Sequence, residues 1–188
     1  MSVGSDAVTF TGAVNGANTL AVNSTGATLF SAAVGGSTAL TSLTTDAGGT
    51  VSLLSVTTSG VQSYGEAATL NGTYTTTNAA FSVAGPTTLG GATTVTVGSG
   101  NVTFTGAVNG ANTLAVNSTG ATLFSAAVGG STPLTSLTTN AGGTVSLLSV
   151  TTTGAQSYGE AATLNGIYTT TNSAFSVAGT TTLGGGTT

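Results

Sequence analysis

The chain has 188 residues, 39% of them hydrophobic, and a formal net charge of −4, because it contains four acidic residues and no Lys, Arg or His. A chain without side-chain cations cannot neutralise phosphates, which excludes nucleic-acid binding, and it lacks the basic clusters that bind anionic membrane surfaces. It also lacks the His, Cys and Lys residues on which acid–base and nucleophilic catalysis usually depend, so we expect neither an enzyme nor a cofactor.

The composition predicts a folded, all-β protein. Thr, Ala, Gly, Val and Ser dominate the chain, and this mixture is too apolar and too rich in β-branched residues for a disordered tail. Polar residues interrupt every apolar run well before the roughly 18–20 residues that a membrane span needs, so we expect no membrane insertion. The first ten residues show neither a basic nor an apolar region of a signal peptide.

The first third of the chain predicts short strands with tight corners. Apolar side chains alternate with Thr, Ser and Ala, which is the pattern of a half-buried strand. Asn-Gly, Gly-Gly and Asn-Ser-Thr-Gly clusters separate the strands, and Gly and Asn are the residues that best tolerate positive φ at a corner. The side chains predicted to fill the interior here are Val8, Phe10, Val14, Leu20, Val22, Phe30 and Val34.

The second half of the chain repeats the first. Residues 11–38 return letter for letter at 105–132, and an alignment of 1–94 with 95–188 leaves twelve differences. The repetition extends the predicted interior to Val102, Phe104, Val108, Leu114, Val116, Phe124 and Val128.

Two architectures fit a 94-residue repeat: separate Ig-like sandwiches, or coils of a continuous β-solenoid. Across the repeat boundary, Val95, Val97, Val102 and Phe104 continue the alternating pattern without a linker, which favours the solenoid. The spacing of the aromatic residues indicates coils of roughly 19–23 residues. We therefore predict one continuous rod with roughly four to five coils per repeat, divided into repeat 1 at 1–94 and repeat 2 at 95–188.

The four acidic residues do not form a catalytic or metal-binding pattern. Asp6 and Asp46 are replaced by Gly100 and Asn140 in the second half, so neither belongs to a shared site. Glu66 recurs as Glu160, but each is a lone carboxylate, and we interpret both as solvated turn residues. Calcium sites use several carboxylates among six to eight oxygens, so we predict no metal site.

The ends of the predicted solenoid have no distinct capping segment. Solenoids normally protect their ends with polar caps, and exposed coil edges are templates for further strand pairing. We therefore expect a piece of a longer array or a chain that stacks head to tail on copies of itself into filaments.

Several segments resemble a known class of repeats. The stretches NGANTLAVNSTGATLFSAAVGG, LTSLTTDAGGT and TTTGAQSYGEAATLNG look like repeat units of large secreted bacterial surface proteins, the filamentous-haemagglutinin-like and autotransporter-like exoproteins. The resemblance covers essentially the whole chain. It implies a right-handed parallel β-helix, exported to the cell surface or medium, that serves as a stalk, adhesin or matrix fibre.

The leading hypothesis is accordingly a structural segment of an extracellular fibre. An alternative is an adhesin module for carbohydrate, host or abiotic surfaces. Four tyrosines would stack on sugars there if they are exposed, but packing in the lumen or at a corner is the favoured interpretation of each: Tyr64, Tyr74, Tyr158 and Tyr168. A remote alternative is ice binding, which would need a Thr-x-Thr pair once per coil.

Overall fold

The computed structural model describes residues 1–46, 48–140 and 142–188, and these form short strands joined by tight turns, with no helix among them. The chain is a parallel β-solenoid of about nine turns, which confirms the predicted fold class. The right-handed coil remains a prediction.

The strands are β1 (Ser2–Gly4), β2 (Val8–Phe10), β3 (Thr19–Ser24), β4 (Ala27–Phe30), β5 (Ser42–Thr45), β6 (Thr50–Leu53), β7 (Val56–Thr57), β8 (Gln62–Tyr64), β9 (Ala67–Thr75), β10 (Phe81–Val83), β11 (Thr87–Gly98), β12 (Val102–Phe104), β13 (Val108–Asn109), β14 (Thr113–Ser118), β15 (Ala121–Phe124), β16 (Ser136–Thr139), β17 (Thr144–Leu147), β18 (Val150–Thr152), β19 (Gln156–Tyr158), β20 (Ala161–Gly166), β21 (Tyr168–Thr170), β22 (Phe175–Val177) and β23 (Thr181–Thr187).

Every strand pairing is parallel and joins a strand to one in the next turn. A ten-stranded sheet runs in the order β1-β3-β5-β8-β10-β12-β15-β17-β20-β23. An eleven-stranded sheet runs β2-β4-β6-β9-β11-β14-β16-β19-β22, with β7 and β13 paired to β9 and β11 beside this path, and β18 pairs with β21. Because the hydrogen bonds run along the solenoid axis, each turn is held by the turns above and below it.

Each turn has three legs. The first leg belongs to the ten-stranded sheet, and its inward ladder includes Val22, Thr45, Tyr64, Val83 and Phe104. The inward ladder of the second leg begins Val8, Thr28, Val51, Ala68, Thr87 and Val108. The third leg's inward ladder begins Val14, Val34, Val56, Tyr74, Val95 and Val116. Long strands such as β11, which crosses the repeat boundary, belong to both the second and the third leg.

The length of a turn follows from these ladders. Five steps lead from Val8 to Val108, so a turn averages 20 residues. Single steps vary, from 17 residues between Thr50 and Ala67 to 23 between Ala27 and Thr50. A repeat of 94 residues therefore makes 94/20, or about 4.7 turns, which is not a whole number.

Equivalent positions of the two repeats consequently lie on different legs. Val8 lies in β2 of the eleven-stranded sheet, whereas its counterpart Val102 lies in β12 of the ten-stranded sheet. Val22 and its counterpart Val116 show the same shift, from the first leg to the third. Repeat 2 is thus displaced around the axis by one leg, a third of a turn, relative to repeat 1.

The corners depend on Asn and Gly. The Asn15 Oδ1 atom accepts hydrogen bonds from the backbone N–H groups of Ser37 and Thr38, at 2.9 and 3.2 Å, in the next turn. Asn109 forms the same pair of bonds in repeat 2. These amide bonds connect corners of successive turns where the strand ladders are interrupted.

Candidate functional site

The structure places the residues predicted to fill the interior in two groups. Half-buried side chains that pack against the core lie in or just after the first turn: Phe10, Val14 and Leu20. Those that lie fully within the core are Val8, Val22, Phe30, Val34, Val102, Phe104, Val108, Leu114, Val116, Phe124 and Val128. Exposure therefore increases toward the open end rather than following the residue type.

Many further core residues lie outside the predicted set. Tyr64, Tyr74, Phe81, Val95 and Leu70 are all fully buried. The same alternation of apolar and polar residues that marks Val8 and Phe10 also runs through Phe81–Val83, so this strand could have been predicted from it. Gln62–Tyr64 alternates in burial but not in polarity.

A buried glutamine joins the first leg to the third leg. The Gln62 Nε2 atom donates hydrogen bonds to the carbonyl oxygens of Val56 at 3.2 Å and Thr75 at 2.9 Å. Its Oε1 atom accepts a hydrogen bond from the Tyr64 hydroxyl at 3.2 Å. Gln156 makes the same three contacts in repeat 2. Since buried polar groups are costly unless paired, this network fixes the packing of the lumen.

The interpretation of Glu66 and Glu160 as solvated turn residues is wrong. Each is only 4% exposed, and its Oε2 atom accepts a hydrogen bond from a threonine one turn earlier, Thr45 at 2.6 Å or Thr139 at 2.8 Å. Burial raises the pKa of both carboxyls, and the threonine hydroxyls partly oppose the rise. Each lone carboxyl thus links a corner of the solenoid to the preceding turn through a buried hydrogen bond.

The tyrosines do not form a sugar-binding platform. Tyr64, Tyr74 and Tyr158 are at most 1% exposed, and the Tyr74 hydroxyl donates to the Leu53 carbonyl at 3.0 Å. Only Tyr168, near the C-terminal end, is half-buried. Tyr64, Tyr74 and Tyr158 therefore lack the exposure that stacking on sugars would require, and they pack in the lumen.

The outer faces carry rows of small hydroxyl side chains. In the ten-stranded sheet, Thr44, Ser63, Ser82 and Thr103 follow one another in register. The next residue of this row is Leu123, which is 40% exposed. Three-residue strands such as β8 expose one residue between two inward ones, so they cannot present a Thr-x-Thr pair. On the third leg, Thr73 and Thr75 lie in register with Thr94 and Thr96, but Ala115 and Asn117 follow them, so a Thr-x-Thr pair does not recur once per turn there.

Each end of the solenoid carries a hollow lined mainly by apolar side chains. At the C-terminal end, a hollow of about 240 Å³ is lined by Leu164, Tyr168 and Phe175, among others. At the N-terminal end, a hollow of about 190 Å³ is lined by Phe10, Val14, Leu20 and Leu40, among others. These are the open faces of the lumen, so they make the ends the candidate functional site.

Neither a metal centre nor a membrane-spanning helix is found in the part of the chain that the structure describes. There, no three His, Cys, Asp or Glu side chains are grouped so that they could hold a metal ion. No helix of the length and apolarity that a membrane crossing requires occurs in residues 1–46, 48–140 and 142–188. No protein-family model, curated protein or solved structure matches the chain.

Proposed function

We propose that this chain is a structural segment of an extracellular fibre or stalk, whose role is to provide length and stiffness. The observation that carries the proposal is the uninterrupted stacking of turns across the repeat boundary. The strand β11 pairs with β9 on one side and with β14 on the other, so duplication of the sequence lengthens the same solenoid.

The composition supports a mechanical role over a chemical one. The chain has no Lys or Arg and thus no trypsin site, and most large apolar side chains lie in the lumen. The resemblance to filamentous-haemagglutinin-like and autotransporter-like repeats supports secretion to the cell surface or medium, and a right-handed coil. Adhesion to host or abiotic surfaces is the weaker candidate, because three of the four tyrosines are buried.

The experiment that tests this function is to lengthen the array. Proteins with one, three and six additional copies of residues 95–188 after residue 188 would be imaged by electron microscopy. Each copy adds about 4.7 turns, and at about 4.8 Å per turn it should extend the rod by about 23 Å. Linear growth of a smooth rod with full resistance to chymotrypsin is expected. Beads on a string, or globules that do not lengthen, would contradict the proposal.

A further inference from the structure

The two ends expose side chains whose counterparts elsewhere in the chain are buried. Phe175 and Leu183 at the C-terminal end are 43% and 64% exposed, whereas their counterparts in repeat 1, Phe81 and Leu89, are 0% and 2% exposed. At the N-terminal end, Phe10 is half-buried, and its counterpart Phe104 is fully buried. The internal repeat junction therefore shows what covers each end surface: the opposite end of another repeat.

That junction also provides a register. Phe81 pairs with Val102, Ser82 with Thr103 and Val83 with Phe104, and the rings of Phe81 and Phe104 lie 5.7 Å apart. Translated by one repeat, Phe175 would meet Val8 of a second copy, and Val177 would meet Phe10 of the second copy. Repeat 1 presents a set of side chains to repeat 2 at the internal junction. The C-terminal end of the chain would present the same set to a second copy.

One corner of the N-terminal end departs from this match. In repeat 2 the corner residue is Gly100, and a Cβ atom there would overlap the carbonyl group of Ala79 in the turn beneath. In repeat 1 the same position is Asp6, and the residue that would lie beneath it in a second copy is Ser173, the counterpart of Ala79.

Close backbone contact requires glycine in the two turns that follow Asp6 at this corner, because added Cβ atoms would overlap the Ser5 carbonyl at Gly26 and the Gly26 carbonyl at Gly49. In the corresponding corner of repeat 2, one leg away, an added Cβ atom at Gly143 would overlap the Gly120 carbonyl. Asp6 occupies the first position of this corner, and Glu66 occupies the fourth, after Gly26 and Gly49. Natural sheets limit edge-to-edge association with a charged residue at an exposed edge, and Asp6 has this placement.

We propose that the C-terminal end of one copy binds the N-terminal end of a second copy in the register of the internal repeat junction, and that Asp6 limits the affinity of this contact. The inference rests on the proposed function, since a fibre segment is where such an end contact would act. Because the contact joins different surfaces of the two copies, it generates open filaments and not closed dimers.

The first test compares three substitutions by analytical ultracentrifugation across a range of protein concentrations. D6G restores the glycine of repeat 2 and should lower the dissociation constant for end-to-end association by about tenfold or more. D6A removes the charge but keeps a Cβ atom, so it should gain much less than D6G. D46N is the matched control, because it also removes one carboxylate and also installs the residue of repeat 2, but lies in the third turn. It should behave as the unchanged chain.

Two further variants identify the surface and the register. L183S in the D6G background should return the protein to monomer, because it places a hydroxyl in the apolar end face. Since the chain has no cysteine, T9C and S176C variants give one thiol each. Parallel neighbours lie about 4.8 Å apart, within reach of a disulfide, so oxidation should link T9C to S176C efficiently but neither variant to itself.

The proposal is overturned if D6G associates no more than the unchanged chain, if D46N gains as much as D6G, or if T9C forms disulfides with itself as readily as with S176C. Its failure is distinct from failure of the fibre function. The lengthened arrays are covalent and contain only junctions with Gly at the Asp6 position, so they can form rods even when separate chains do not associate.

Discussion

The internal repeat junction and the free ends are built from nearly the same sequence but differ in environment. The segment Phe-Ser-Val occurs at 81–83 and again at 175–177, yet Phe81 is 0% exposed and Phe175 is 43% exposed. Each phenylalanine contacts two tyrosines of its own repeat, with ring centroids 5.7 Å apart in every case. Only Phe81 also contacts a ring of the following turn, that of Phe104. Burial in a solenoid is therefore completed by the neighbouring turn and not by the residue's own strand.

The largest effect is expected from truncating this phenylalanine in both places. F81A should lower the free energy of unfolding by about 3–5 kcal/mol, because it opens a cavity at the repeat junction. F175A should cost about 1–2 kcal/mol, because the ring is already partly hydrated. Urea unfolding monitored by circular dichroism at low protein concentration measures both. Equal losses of stability in F81A and F175A would contradict the conclusion that the next turn completes the burial of this ring.

The hydrogen-bond network around the buried glutamine is complete in both repeats, so its removal should destabilise the two repeats equally. Q62L and Q156L each keep the side-chain volume but leave the tyrosine hydroxyl and backbone carbonyls with fewer partners, at a cost of about 1–3 kcal/mol. The two variants should agree with each other in the same urea assay. A much smaller loss in Q156L would show that the C-terminal turns open before the rest of the solenoid.

The buried carboxyls should make stability depend on pH. Burial raises the pKa of Glu66 and Glu160 above the ordinary 4.5, so the folded state holds their protons more tightly than the unfolded state does. The contribution of these two carboxyls to the free energy of unfolding is fully present below pH 4.5. It is lost as the pH rises through the higher pKa of the folded state.

The matched variant is the double substitution E66Q/E160Q. Urea midpoints measured from about pH 4 to pH 8 should fall with rising pH in the unchanged chain and fall much less in the variant. Asp6 and Asp46 are present in both proteins, so the difference isolates the two glutamates. An identical fall in both proteins would contradict the assignment.

The smallest effect is expected from exchanging a corner residue between repeats. Ala39 and Pro133 occupy equivalent positions, and the following residue makes the same hydrogen bond in both, from Leu40 to Thr57 or from Leu134 to Thr151, at 3.2 Å. A39P should raise the free energy of unfolding by about 0.4–1 kcal/mol, because proline restricts the unfolded chain. P133A should show the reverse change, and a loss of stability in A39P would contradict the equivalence of the two corners.

The strand pattern could be predicted from the sequence because its cause is local. Alternation around Val22 and Phe30 reflects the two faces of a strand, one inward and one outward, and the absence of a linker at Val95 indicates continuity. The burial of Glu66 was missed because a lone carboxylate is usually solvated. Its spacing of 21 residues from Thr45, close to one coil, was the available signal.

The displacement of repeat 2 by one leg could not be predicted in the same way. It depends on the exact length of every turn, and these lengths vary from 17 to 23 residues. An error of a few residues in locating Thr50 or Ala67 is enough to change which leg Val102 occupies. The role of Gly100 likewise depends on a backbone contact with Ala79 in the preceding turn, and alternation within a strand carries no information about it.

The one-leg displacement has a geometric consequence for long arrays. Any loop or substitution that recurs once per repeat would point in three directions in succession, at intervals of about 23 Å along the axis, and would face the same way again only after three repeats. A binding epitope introduced at a single position of the repeat would thus wind around the fibre as a spiral. A partner approaching from any side would meet it, and a flat partner would contact only every third copy.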